Sequence, residues 1–91
     1  MTGNTLTRLA HELTAADRRA EGKRGHNSYA LAIELGAIQE IRAEVEAGAD
    51  LADCFADHFT ETRKNHGIAK RLGLPLDVQR GEWVRTDARG L

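Results

Sequence analysis

The stretch NSYALAIELGAIQEIRAEVE, residues 27–46, governs the reading of the whole chain. It contains no proline, opens on Asn27 and Ser28, both good helix N-caps, and carries Tyr29, Leu31, Ile33, Leu35, Ile38, Ile41 and Val45. At about 100° per residue, Leu31, Leu35, Ile38 and Val45 share one face, and Ile33, Ala37 and Ile41 widen it past half the circumference. An apolar arc that wide needs neighbours on two sides, so the spacing predicts a central helix over 27–46. Glu34 and Arg42 fall inside the arc, and each needs a partner or a place at a subunit boundary. Gly48 follows as the stop signal.

Upstream, Leu6, Leu9, Leu13, Ala16 and Ala20 recur at helical spacing, predicting a helix over about 5–20 capped by Asn4 or Thr5. Gly22-Lys23-Arg24-Gly25 reads as the loop that ends it. Downstream, Asp50 is a natural N-cap with Asp53 at N3. The series Leu51, Cys54 or Phe55, His58 or Phe59, and Thr62 continues a third helix over 50–72, with a kink or break expected at Asn65-His66-Gly67. Pro75 closes the helical region. Val78 to Val84 flank Arg80-Gly81 as a short hairpin that needs helices behind it, and residues 86–91 read as a frayed end. The expected architecture is mainly α: a small bundle of three helices, or four with the third one kinked, and a short C-terminal β-hairpin or extended tail over 75–91. The whole forms one domain, 1–91.

A chain of 91 residues has room for one core. Its one cysteine, Cys54, excludes an internal disulfide framework, so packed helices or a partner chain must supply stability. Apolar runs fall far short of the roughly 18 residues that span a bilayer, and no signal-peptide core is present. These features lead us to expect no membrane association and a cytoplasmic location.

The formal charge of −1 conceals a divided chain. Residues 1–33 carry net +2, residues 34–61 net −7 and residues 62–91 net +4. On the third helix Asp50, Asp53, Asp57 and Glu61 recur at i, i+3, i+7 and i+11 with no lysine or arginine between them, which predicts an acidic ridge; Glu40 and Glu44 on the second helix add to it. Such a ridge is either the solvated side of an amphipathic helix or a surface for a basic partner. The basic residues gather as Arg18, Arg19, Lys23 and Arg24 near the first loop and as Arg63, Lys64, Lys70 and Arg71 further on. The second group could contact phosphate, or could complement a helix dipole and pair with acids of a neighbouring helix.

Catalytic and metal chemistry find little footing. Ile68 to Leu74 looks like the second helix and turn of a helix-turn-helix, but the recognition helix that should follow is replaced by Pro75-Leu76-Asp77-Val78-Gln79-Arg80-Gly81. Cys54 and His58 lie at i, i+4, yet zinc would need carboxylates such as Asp50 or Asp57 to complete its ligands, so no metal or cofactor is expected. His11, His26 and His66 stand beside Glu12, Asn27 and Asn65 rather than facing them, no phosphate loop is present, and the expectation is no enzyme. Trp83 either caps the core or anchors a partner.

The run His26-Asn27-Ser28-Tyr29-Ala30-Leu31, then Leu35-Gly36-Ala37, Gly48-Ala49, Phe55 and Phe59, resembles short helical proteins of bacteriophages and other mobile elements, among them the anti-CRISPR proteins. The resemblance covers about half the chain and carries no site residues. It implies an inhibitor that binds host machinery in the host cytoplasm, such as a CRISPR effector complex. Combined with the charge pattern, the expectation is a DNA-mimicking binding protein. It would place Glu40, Glu44, Asp50, Asp53, Asp57, Glu61 and Trp83 against a basic, nucleic-acid-binding surface of a protein partner. The alternatives are a small DNA-binding regulator using Arg63, Lys64, Lys70 and Arg71, and a homodimer or larger homo-oligomer sharing the apolar arc of the second helix.

Overall fold

The computed structural model describes the backbone of residues 2–24 and 28–87 and the side chains of residues 4–16 and 31–87. Four helices are followed by an antiparallel hairpin: α1 Thr2–Arg24, α2 Ser28–Glu46, α3 Leu51–His58, α4 Arg63–Leu72, β1 Leu76–Gln79 and β2 Glu82–Arg85. This is the mainly helical domain with a C-terminal hairpin that the sequence predicts, with different helix ends. Helix α1 runs through Gly22 to Arg24 instead of stopping near Gly22. One interior glycine costs only about 1 kcal/mol, which good helix formers such as Ala20, Glu21, Lys23 and Arg24 outweigh. Gly25, His26, Asn27 and residues 88–91 lie outside the described residues, as do the side chains of Arg18, Arg19, Lys23 and Arg24.

The expected third helix is two helices, and the break falls at Phe59–Thr62, not at Asn65-His66-Gly67. Local and distant hydrogen bonds together explain the break. Phe59 turns extended, and Thr62 caps α4 by accepting from the Asn65 backbone N–H. The carbonyls freed by the interruption are taken up by side chains. Trp83 Nε1 donates to Phe59 O at 2.8 Å and Asn65 Nδ2 donates to Thr60 O at 2.9 Å. Beyond that, α4 runs unbroken through Gly67 and ends on Gly73. The φ of 76° there lets the backbone N–H groups of Gly73 and Leu74 bond back to the last turn.

The core lies between α1, α2, α3 and α4. Leu6, Leu9 and Leu13 make one buried stripe of α1 at spacings of three and four, and Ile38 and Ile41 of α2 meet them. Phe55 sits at the centre, 1% exposed, with its ring centroid 4.9 Å from that of Phe59. Ile68, Ala69 and Leu72 close the core from α4. Helix α2 packs against α1 and α3, as its wide arc demands, but the arc is narrower than expected because Ile33 is 57% exposed. The two embedded charges differ in fate. Glu34 accepts from Lys64 Nζ at 2.8 Å, whereas Arg42 is half-buried. Helices α1 and α4 are tied by Arg8, which donates to the Arg71 carbonyl, and by Arg71 Nε on Glu12 Oε1 at 2.8 Å.

The hairpin turns on Arg80-Gly81, as expected, with register Val78↔Trp83 and Gln79↔Glu82. Both turn residues have positive φ, 54° at Arg80 and 77° at Gly81. That is the turn whose twist matches a two-residue hairpin, normally built from Asn-Gly. An arginine in the left-handed region costs roughly 1–2 kcal/mol there.

Candidate functional site

The acidic face is assembled from α2 and α3. Asp50 caps α3 by accepting from the Asp53 N–H at 3.0 Å, as predicted. The ridge itself needs correction. Helix α3 ends at His58, so Glu61 lies in the connection to α4 and not on the helix. Asp50 and Asp53 are also not left to themselves, because Arg85 of β2 donates through Nη1 to Asp50 Oδ2 at 2.6 Å and to Asp53 Oδ1 at 2.7 Å, and its Nη2 meets Asp87. The bonds from Asp87 and then Asp50 raise the guanidinium pKa further above its usual value. One cation among three carboxylates leaves that end of the face net negative.

The middle of the face is organised around Glu44. His58 Nε2 lies 3.2 Å from both Glu44 carboxylate oxygens, and His58 Nδ1 lies 3.7 Å from Glu40 Oε1. The His58 contact, and after it the Cys54 thiol, hold the Glu44 carboxyl below its ordinary value near 4.5. Burial pushes the Cys54 thiol up to about 11, helped by its bond to Glu44 and by the charges of Asp57 and Asp53. Glu44, Asp53 and Asp57 thus all act on the Cys54 thiol. Asp57 and Glu61 are exposed and make no ion pair among the described residues.

Glu44 yields a pH prediction. Its folded pKa is depressed, so the stability it contributes is present at neutral pH and fades as pH falls below about 4.5. Glu44→Gln should therefore lower the urea midpoint at neutral pH and flatten its fall on acidification, as read from urea curves across the acid range. An unchanged slope would show that the Glu44–His58 contact does not couple to folding.

Of the basic candidates, Lys64 and Arg71 are held by Glu34 and Glu12 of neighbouring helices, while Arg63 and Lys70 make no ion pair among the described residues. Near them His66 Nε2 stands 2.8 Å from Asp77 Oδ1, an electrostatic contact rather than a well-directed hydrogen bond. Asp77 is held below its usual value by the Val78 backbone N–H, and then by Lys70 and His66. The Asn65 Oδ1 oxygen is buried without a hydrogen-bond partner among the described residues.

Trp83 is half-buried, edge-on to Phe55 at 5.6 Å between centroids, and its indole N–H is occupied by Phe59 O, which places it as a core cap. No group of three or more metal-ligating side chains that could hold a metal ion occurs among the described residues, and Cys54 and His58 both act on Glu44. Among the same residues no helix is long and apolar enough to cross a membrane. Sequence reasoning missed Arg85 and His58 as members of the acidic face. The fold defines a small, mainly helical domain of four helices and a hairpin. Compared with protein families, with characterised proteins and with solved structures, the chain gives no match.

Proposed function

We propose that the protein is a non-enzymatic binding protein of a phage or mobile element. In this reading it inhibits a host nucleic-acid-handling defence complex, in the manner of an anti-CRISPR protein, by covering a basic surface with its α2–α3 face. The observation that carries the reading is the charge of that face. Among the described residues, Glu40 and Glu44 meet His58, Asp53 and Asp57 act with Glu44 on Cys54, the cations paired with this group are His58 and one guanidinium already shared among three carboxylates, and Glu61 follows, exposed, in the connection to α4. Like charges held this close cost stability on an isolated helix, and a cationic partner would relieve them. Opposite charge would also speed encounter and make binding weaken with salt. Asp50 and Asp53 act mainly through Arg85 in fastening the hairpin. The contact set therefore centres on Glu40, Asp57 and Glu61, with Glu44 behind them.

Expression in a bacterium whose CRISPR system targets a phage should restore plaque formation. The triple change Glu40→Lys, Asp57→Lys and Glu61→Lys should abolish that rescue while leaving the helical circular dichroism intact. Against the isolated effector complex the same change should weaken binding more than about 100-fold, since juxtaposed like charges cost several kcal/mol. Rescue that survives the triple reversal would refute the acidic-face mechanism.

A further inference from the structure

The C-terminal hairpin has two edges, and the fold treats them differently. The Thr86 N–H donates to Pro75 O at 3.0 Å, which continues the register of the hairpin and fixes its hydrogen-bonded pairs as Asp77↔Val84 and Gln79↔Glu82. The backbone groups of the intervening residues, Leu76 and Val78 on β1 and Trp83 and Arg85 on β2, therefore point outward from the ladder.

On β1 the outward edge is closed. The Leu76 N–H donates to Leu74 O and the Val78 N–H to Asp77 Oδ1, each at 2.8 Å. Helix α4 packs against the same strand, where its His66 meets Asp77. On β2 the backbone N–H and C=O groups of Trp83 and Arg85 have no hydrogen-bond partner among the described residues. Their side chains are engaged, the indole with Phe55 and Phe59 O and the guanidinium with Asp50, Asp53 and Asp87. Those contacts put α3 beneath one face of the strand and not along its edge, because side chains stand perpendicular to a sheet while backbone groups lie in its plane. Proteins ordinarily blunt an edge strand with proline, lysine or a bulge, and Glu82-Trp83-Val84-Arg85 has none of these.

The charge along this edge selects its occupant. Glu82 is exposed on the strand, Asp50 and Asp53 stand at its far end through Arg85, and Asp87 follows it. Against these four carboxylates stand Arg85 and, at the turn, the exposed Arg80. A second copy of the chain would set this net negative charge against itself, whereas an extended segment carrying lysine or arginine meets it with the opposite sign. Two strands alone are marginal in water, so a third also steadies the sheet.

We infer that the outer edge of β2 binds an extended basic peptide segment as a third strand, through the backbone N–H and C=O groups of Trp83 and Arg85. Main-chain pairing supplies the grip, and the flanking carboxylates supply the preference for lysine and arginine. The edge uses none of Glu40, Asp57 and Glu61, so it does not rest on the inhibitor reading.

A short peptide of alternating lysine and threonine with blocked ends, titrated into the isotope-labelled full chain and followed by amide NMR, tests this. At saturation the amide protons of Trp83 and Arg85 should move downfield as they gain hydrogen bonds, while those of Leu76 and Val78 on the closed edge stay in place. Glu82→Lys should weaken binding roughly tenfold without lowering the melting temperature. The same peptide with glutamate in place of lysine should not saturate. The proposal is overturned if the lysine peptide reaches no saturation by about 1 mM, if it binds and leaves the Trp83 and Arg85 amides unmoved, or if the glutamate peptide binds equally well. Movement of those two amides with protein concentration alone would give the edge to a second copy and overturn it as well. None of these outcomes bears on plaque rescue.

Discussion

Phe55→Ala should lower the stability of the domain by about 3–5 kcal/mol, a large part of the 5–15 kcal/mol that holds an ordinary domain folded. The ring is 1% exposed, stacks on Phe59 at 4.9 Å and meets Trp83 edge-on, so truncation leaves a hole that α3, the α3–α4 connection and the hairpin all border. Relaxation into that hole is restricted because Phe59 and Trp83 are themselves linked by the indole N–H on Phe59 O. Urea unfolding followed by circular dichroism measures the loss. Phe55→Leu, which keeps most of the volume, should cost far less. A loss below about 1 kcal/mol for Phe55→Ala would mean that this side chain is not the centre of the core.

The second large effect is expected at Trp83. Trp83→Ala should cost about 3 kcal/mol, the low end for a large aromatic because the ring is only half-buried. Its mechanism is detachment of the hairpin from α3, which should appear as faster amide exchange across the hairpin before the helices open. Trp83→Phe separates packing from hydrogen bonding. It retains ring contact with Phe55 but leaves Phe59 O without its donor, for a cost of about 1 kcal/mol. If Trp83→Phe leaves stability and exchange untouched while abolishing effector binding, the core-cap assignment fails and the partner-anchor alternative takes its place.

The elements that were legible in the sequence are those whose causes are local. Asp50 with Asp53 marks the start of α3, Gly48 with its φ of 110° follows the end of α2, and Arg80-Gly81 marks the hairpin turn, all within a few residues of what they control. The break at Phe59–Thr62 was harder because half of its cause is remote. The cap from Thr62 to Asn65 is a readable local signal that periodicity concealed, but the bond from Trp83 comes from 24 residues away. The acidic face shows the same division. Helical spacing finds Asp53 and Asp57, whereas nothing local says that Arg85, 32 residues past Asp53, will close on it, or that His58 will wedge between Glu40 and Glu44. For Glu34 the sequence stated the need for a partner, and only the fold supplied Lys64.

The seam between α1 and α4 joins residues about 60 positions apart, through Arg8 on the Arg71 carbonyl and Arg71 on Glu12. Most other packing joins neighbours in the chain: α1 with α2, α2 with α3, α4 with β1. Such short-range topology favours rapid acquisition of structure, in which the helical hairpin and the C-terminal half take shape separately. Docking across the seam is then the slow, entropically demanding event, and the rate of folding is set by how soon the first and last helices find each other.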